Sequence, residues 1–179
     1  MSFLGQLREK AHARYIQKKL KDHHATHDTV SFAQAERIGI LFDGSDIENY
    51  GVVRTYAEEY KKKGKKVKLL GYINTTNPNS ALSFKSFSKK NLNWMLKPNS
   101  VEVEDFMKQN FDILINAYLQ PIIPLLYIST FSNAKLRVGL YYPERTMVSD
   151  MMITVNGDAN LDSLFREIEH YLNIFHHHD

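Results

Sequence analysis

Cysteine is absent from this 179-residue chain, and histidine is confined to its two ends, with none between Asp28 and Glu169. The first absence excludes a disulfide-framed scaffold and suits a reducing compartment. Together the two remove Ser-His-Asp and Cys-His nucleophile chemistry from the body of the chain, and His/Cys zinc sites as well. Catalysis there would have to use Asp, Glu, Lys, Tyr, Ser or Thr. Glycine (8) and proline (5) are sparse, which excludes collagen-like and low-complexity classes. No apolar run approaches the ~18 residues that suggest a membrane span, and the first turn has no apolar run of the kind a secretory signal needs. What is present, 43% hydrophobic and 24% charged residues, points to one cytoplasmic α/β domain with no membrane-spanning segment.

The net charge of +3 is unevenly spread. Residues 1–27 carry six Lys/Arg against Glu9 and Asp22, whereas residues 28–179 are close to neutral. Within that neutral body, ten lysines fall between Lys61 and Lys97 without a single Asp or Glu. Residues 1–30 read as a basic helical arm, with Phe3, Leu4, Leu7, Ala11, Tyr15 and Leu20 loosely on one side. Such an arm either packs on the domain or touches lipid or nucleic acid.

Residues 31–179 read as the α/β domain. Short apolar runs predict strands over 37–42 (RIGILF), 66–73 (KVKLLGYI), 91–96 (NLNWML), 111–119 (FDILINAYL), 136–141 (LRVGLY) and 151–155. Helical spacing fills 46–63, 101–110, 121–133 and 160–175 between them. Ser45 and Glu48 fit a capping box for the first of these helices, and Gly64 fits its end. Strands spaced by helices imply a three-layer Rossmann-like fold with a mainly parallel sheet of five to six strands.

In such sheets ligands sit beyond the carboxyl ends of the strands. That rule selects Asp43, Gly44, Ser45 and Asp46 after the first strand, Asn74 after the second, and Asn116 and Gln120 around the end of FDILI. Amides at the Gly44 turn could meet an anion, although Asp43 and Asp46 occupy the same turn and would repel it. No G-x-G-x-x-G and no P-loop motif is present, so no cofactor is expected. A magnesium-assisted phosphotransfer site would need Asp150 beside Asp43 and Asp46, which no spacing supports, and no metal site is expected. His23 and His27 share an i,i+4 spacing, but nothing in the sequence orders them as ligands. A second candidate surface is SFKSFSKKNLNW, where Lys85, Lys89 and Lys90 alternate with Phe87 and Trp94. Aromatic faces between lysines suit single-stranded nucleic acid, and equally suit a core strand with a solvated face.

The segments RIGILFDGSD, KVKLLGYI, FDILINAYLQPIIPLLYISTFSNAKLRVGLY and DMMITV resemble a family of short uncharacterised bacterial α/β proteins, over about residues 35–175. That resemblance implies a fold and no particular activity. More remotely, the same segments resemble the N-terminal half of glycosyltransferases of the heptosyltransferase type, with Asp46 and Ile47 nearest to their acidic turn. This second likeness implies a half-enzyme that takes its donor-binding half from a partner chain. The reading ranked first is a non-catalytic binding or interaction domain for a small anionic ligand or a protein. A nucleic-acid binder comes next.

Overall fold

The computed structural model describes residues 7, 8, 10, 11, 14–16, 30–78, 82–143, 148–155, 157 and 159–174. The ordered elements are β1 (Arg37–Asp43), α1 (Ile47–Lys62), β2 (Lys66–Ile73), β3 (Ser86–Ser88), α2 (Val101–Met107), β4 (Ile113–Ala117), α3 (Ile123–Thr130), β5 (Leu136–Leu140), β6 (Met151–Ile153) and α4 (Leu161–Ile174). A short 3-10 turn, Lys89–Asn91, follows β3. The strands form one six-stranded sheet in the order β3-β2-β1-β4-β5-β6, with every pairing parallel. This is a single α/β Rossmann-like domain, as the alternation of runs and stripes predicts.

Side chains alternate across each strand and divide the core between the two faces. Ile38, Ile40 and Phe42 of β1, with Ile113 and Ile115 of β4, pack against α1 and α4. Leu41 and Leu114 join the opposite cluster, with Phe106 of α2 and Leu125 and Ile128 of α3. On the first face, Tyr56 of α1 stacks on Phe165 of α4 at 4.3 Å, and its hydroxyl donates to Asp162 Oδ1 at 2.9 Å. Burial, reinforced by that carboxylate, holds the Tyr56 phenol well above its ordinary pKa. It therefore remains a donor across the physiological range. Gly64 closes α1 with φ +82°, a backbone conformation that favours glycine.

Three expectations need correction. The third strand is not 91–96 but Ser86–Ser88. Asparagine side chains claim the backbone that a strand would have paired: Asn91 Oδ1 accepts from the Ser88 amide, and Asn93 Oδ1 accepts from the amides of Met95 and Lys97. The cap of α1 is Asp46 rather than Ser45, because Asp46 Oδ1 takes the Glu48 amide at 2.8 Å. Helix α3 is shorter than 121–133, since Pro124 belongs in a first turn, where its missing N–H forfeits no hydrogen bond.

Parts of the leading segment are seen against the domain. Residues 14–16 are helical, Ile16 is buried in the α2/α3-side core, and Tyr15 stacks on Tyr127 of α3 at 6.3 Å. Lys97 Nζ lies over both rings, and Arg8 Nε donates to the Trp94 carbonyl at 2.7 Å. His23, His27 and the terminal histidines lie outside the described residues. No helix among the described residues is long and apolar enough to cross a membrane.

Candidate ligand cleft at the strand switch

The strand order makes β1 and β4 neighbours whose connections leave in opposite directions along the sheet, one toward β2 and the other toward β5. In open parallel sheets the crevice outside the carboxyl ends at this reversal is the usual ligand position. A cleft of about 600 Å³ lies there, with polar walls from Asp43, Asn49, Tyr72, Asn74, Lys89 and Gln120. Its apolar floor includes Leu92, Leu96 and Ile123. The volume falls within the ~300–1,000 Å³ typical of small-molecule sites.

Each polar wall is placed by a strand end or a first turn. Asp43 ends β1, and its Oδ1 accepts the Ser45 amide at 2.9 Å, which fixes the turn into α1. Ser45 Oγ accepts the Asn74 amide at 2.8 Å and so ties the end of β2 to that turn. Tyr72 is buried within β2, with its hydroxyl 3.4 Å from Asn74 Oδ1. Burial, with the Asp43 carboxylate nearby, pushes the Tyr72 phenol above its usual pKa and keeps it a proton donor. Lys89 opens the 3-10 turn, whose start is brought to the end of β2 by a bond from its amide to the Thr75 carbonyl at 3.1 Å. Leu96 adopts φ +61°, a left-handed conformation that a leucine rarely takes. Beside it the Asn93 side chain holds the loop by its bonds to the Met95 and Lys97 amides.

Of the residues selected from the sequence, the structure brings Asp43, Asn74 and Gln120 together on this cleft. Gly44, Ser45 and Asp46 lie beside it rather than on its lining. The turn is not an open anion cradle: the Gly44 amide is spent on the Tyr72 carbonyl at 2.9 Å, and the Ser45 and Glu48 amides on the two aspartates. Gly44 is small for packing, since a Cβ there would come within 2.8 Å of Ile73 and 3.0 Å of Phe84. Asn116 lies inside β4, 2% exposed, and donates from Nδ2 to the hydroxyls of Ser129 and Ser149. It joins β4 to α3 and to the segment before β6, well away from solvent.

Asp150 stands at the opposite end of the sheet from Asp43. It sits just before β6 and is paired with Arg137 at the start of β5. Among the described residues no group of three or more His, Asp or Glu side chains is arranged to hold a metal ion.

The lysine–aromatic stretch is not one surface. Phe87 is buried against Tyr72 at a centroid distance of 5.2 Å and offers no face to a base. Lys89 belongs to the cleft, Lys85 and Lys90 line a separate hollow by β3, and Trp94 is 63% exposed at the tip of the 92–98 loop. Sequence reasoning missed Asn49, Tyr72 and Leu96. Tyr72 was accessible to the strand-end rule, being the second-last residue of β2, whereas Leu96 reaches the cleft only through the loop that replaced the expected strand.

The family model of DUF6913, described as a family of unknown function, matches residues 8–175. The chain belongs to DUF6913. The match includes the helical residues that pack on α3 as well as the whole sheet, so both lie within the DUF6913 region. No curated protein and no solved structure matches the chain, and the likeness to heptosyltransferase-type enzymes finds no support in these comparisons.

Proposed function

We propose that this DUF6913 chain binds a small polar ligand in the cleft at the β1/β4 switch and holds it without transforming it. The observation that carries this reading is the convergence of Asp43, Asn74, Lys89 and Gln120 on one cavity of about 600 Å³ at the strand ends. One ammonium suits an anionic group, the amides of Asn49, Asn74 and Gln120 suit hydroxyls or carbonyls, and the leucines suit an apolar ring or chain. The Tyr72 hydroxyl, which donates to Asn74 Oδ1, orients that amide. Among the described residues the lining holds a single carboxylate and no imidazole, which favours recognition over proton transfer between paired groups. Nucleotides and sugar phosphates share these features and form the first screening set.

A thermal-shift screen of both classes tests the reading. A ligand present at a hundred times its Kd stabilises by ~2.7 kcal/mol, which is readily seen. Stabilisation by at least one compound, lost in Lys89→Ala and reduced in Asn74→Ala, is the expected result. A flat response to every compound, or variants that respond as the wild type does, overturns it.

A further inference from the structure

We propose that the outer edge of β2 is a docking site for an extended acidic segment of a partner protein. Strand β2 runs from Lys66 to Ile73, but β3 covers only Gly71–Ile73. In a strand, the N–H and C=O of one residue face the same neighbour, and successive residues alternate. The even-numbered residues face β1: the Lys66 amide donates to the Glu36 carbonyl, and the Tyr72 carbonyl accepts from Gly44. Gly71 faces outward, donating to the Lys85 carbonyl at 3.0 Å. Val67 and Leu69 therefore turn both backbone groups outward, and no backbone group among the described residues meets them.

This open edge lies in a trough rather than on a flat surface. A cavity of about 410 Å³ runs beside it, walled by Lys61 of α1, Val101 and Phe106 of α2, and Phe84 and Lys85. A second cavity of about 370 Å³, reaching Arg37, Lys66 and Gln109, shares Val67 and Lys68 with the first. Pairing of an added strand with a sheet edge draws affinity from the backbone and selectivity from the alternate side chains. Here the charge sets the partner. Among the described residues, Arg37, Lys61, Lys66, Lys68 and Lys85 line the two cavities against only Glu102 and Asp105. Lys61 already holds Glu58 at 2.8 Å, which leaves the balance clearly positive. A second copy of the chain, pairing edge to edge, would set these lysines against their own counterparts, and like charges across a strand pair destabilise it. An acidic strand meets no such cost.

The test uses the full chain and a fluorescein-labelled peptide of alternating glutamate and valine. A second version carries N-methyl groups on alternate amides, which removes half of its backbone donors. Anisotropy should show saturable binding, weakened roughly tenfold or more by N-methylation. The exposed charge reversals Lys66→Glu and Lys85→Glu together should weaken it comparably, with the wild-type unfolding midpoint retained. Hydrogen exchange at the Val67 and Leu69 amides should be fast in the free protein and slow in the complex. The proposal is overturned by absent peptide binding, by equal binding of the methylated peptide, or by charge reversals without effect. Slow exchange at those two amides before peptide is added, or binding of a single-stranded oligonucleotide in place of the peptide, overturns it equally.

Discussion

Arg137, buried, and Asp150, at the surface end of the pair, show how much one ion pair constrains this sheet. The Arg137 side chain is only 7% exposed; its Nη2 and Nε donate to the two oxygens of Asp150 at 2.7 and 3.0 Å, and Nη1 donates to the Thr130 carbonyl at 3.2 Å. The backbone joins in, with the Arg137 amide on Asp150 Oδ2 and the Asp150 amide on the Arg137 carbonyl. Removing the carboxylate leaves the buried guanidinium with little water to solvate it, whereas replacing both removes the desolvation problem. Asp150→Ala is therefore expected to lower stability by ~1–3 kcal/mol, the cost of leaving buried donors unpaired. The double variant Arg137→Met, Asp150→Leu should recover part of that loss but not all, because the bond to the Arg137 amide goes as well. Urea midpoints for the three proteins check the order, and a double variant less stable than Asp150→Ala would refute the argument. Neither residue is legible as half of a pair in the sequence. Each is an ordinary charge there, and only the parallel register of β5 and β6 makes them neighbours.

Elements whose local preferences agreed with their surroundings were readable, and those held by side-chain-to-backbone bonds were not. Helix α1 has its apolar stripe and a terminal glycine, and the predicted 46–63 differs from Ile47–Lys62 only at its ends. The 86–98 region reversed the expectation because asparagine side chains there compete for strand amides, a competition that hydrophobic pattern does not record. A similar bond outside the regular pattern closes the amino-terminal rim of the sheet. Asp112, just before β4, accepts from the amides of Glu36 and Arg37 at 2.9 Å each and from Lys135 Nζ at 2.8 Å, so one carboxylate gathers the starts of β1, β4 and β5. Burial disfavours its charge, but the bonds from Lys135 and the two amides outweigh burial and hold its pKa below the usual value. A carboxylate whose pKa is depressed on folding stabilises fully above its unfolded pKa of ~3.9, and that contribution fades as pH falls through the folded value. Asp112→Asn should accordingly be clearly less stable than the wild type at pH 7, with the gap narrowing below about pH 4. Denaturation curves at several pH values read this directly; a gap that is constant with pH would show that the carboxylate charge contributes nothing.

At the scale of the molecule, the fold class followed from alternating runs and stripes, but the cleft did not, because it depends on strand order and on the path of the 92–98 loop. Leu92 and Leu96 line the cleft from that loop, and the leading segment holds the loop from outside: Arg8 bonds the Trp94 carbonyl, and Tyr15 lies under Lys97. Contacts made near the start of the chain therefore bear on a wall of the candidate site. Ile16 is buried with the α3 side of the core, and truncating such a residue costs ~2–5 kcal/mol through lost burial and the cavity left behind. The double variant Tyr15→Ala, Ile16→Ala is expected to fall in this range. It should also speed hydrogen exchange at the Leu96 amide, which bonds the Asn93 carbonyl, and at the Lys97 amide, which bonds the Asn93 side chain. Circular dichroism melts and exchange measured on the same samples separate the two possibilities. An arm independent of the sheet leaves both the midpoint and the loop amides unchanged, whereas an integral segment lowers the first and exposes the second together.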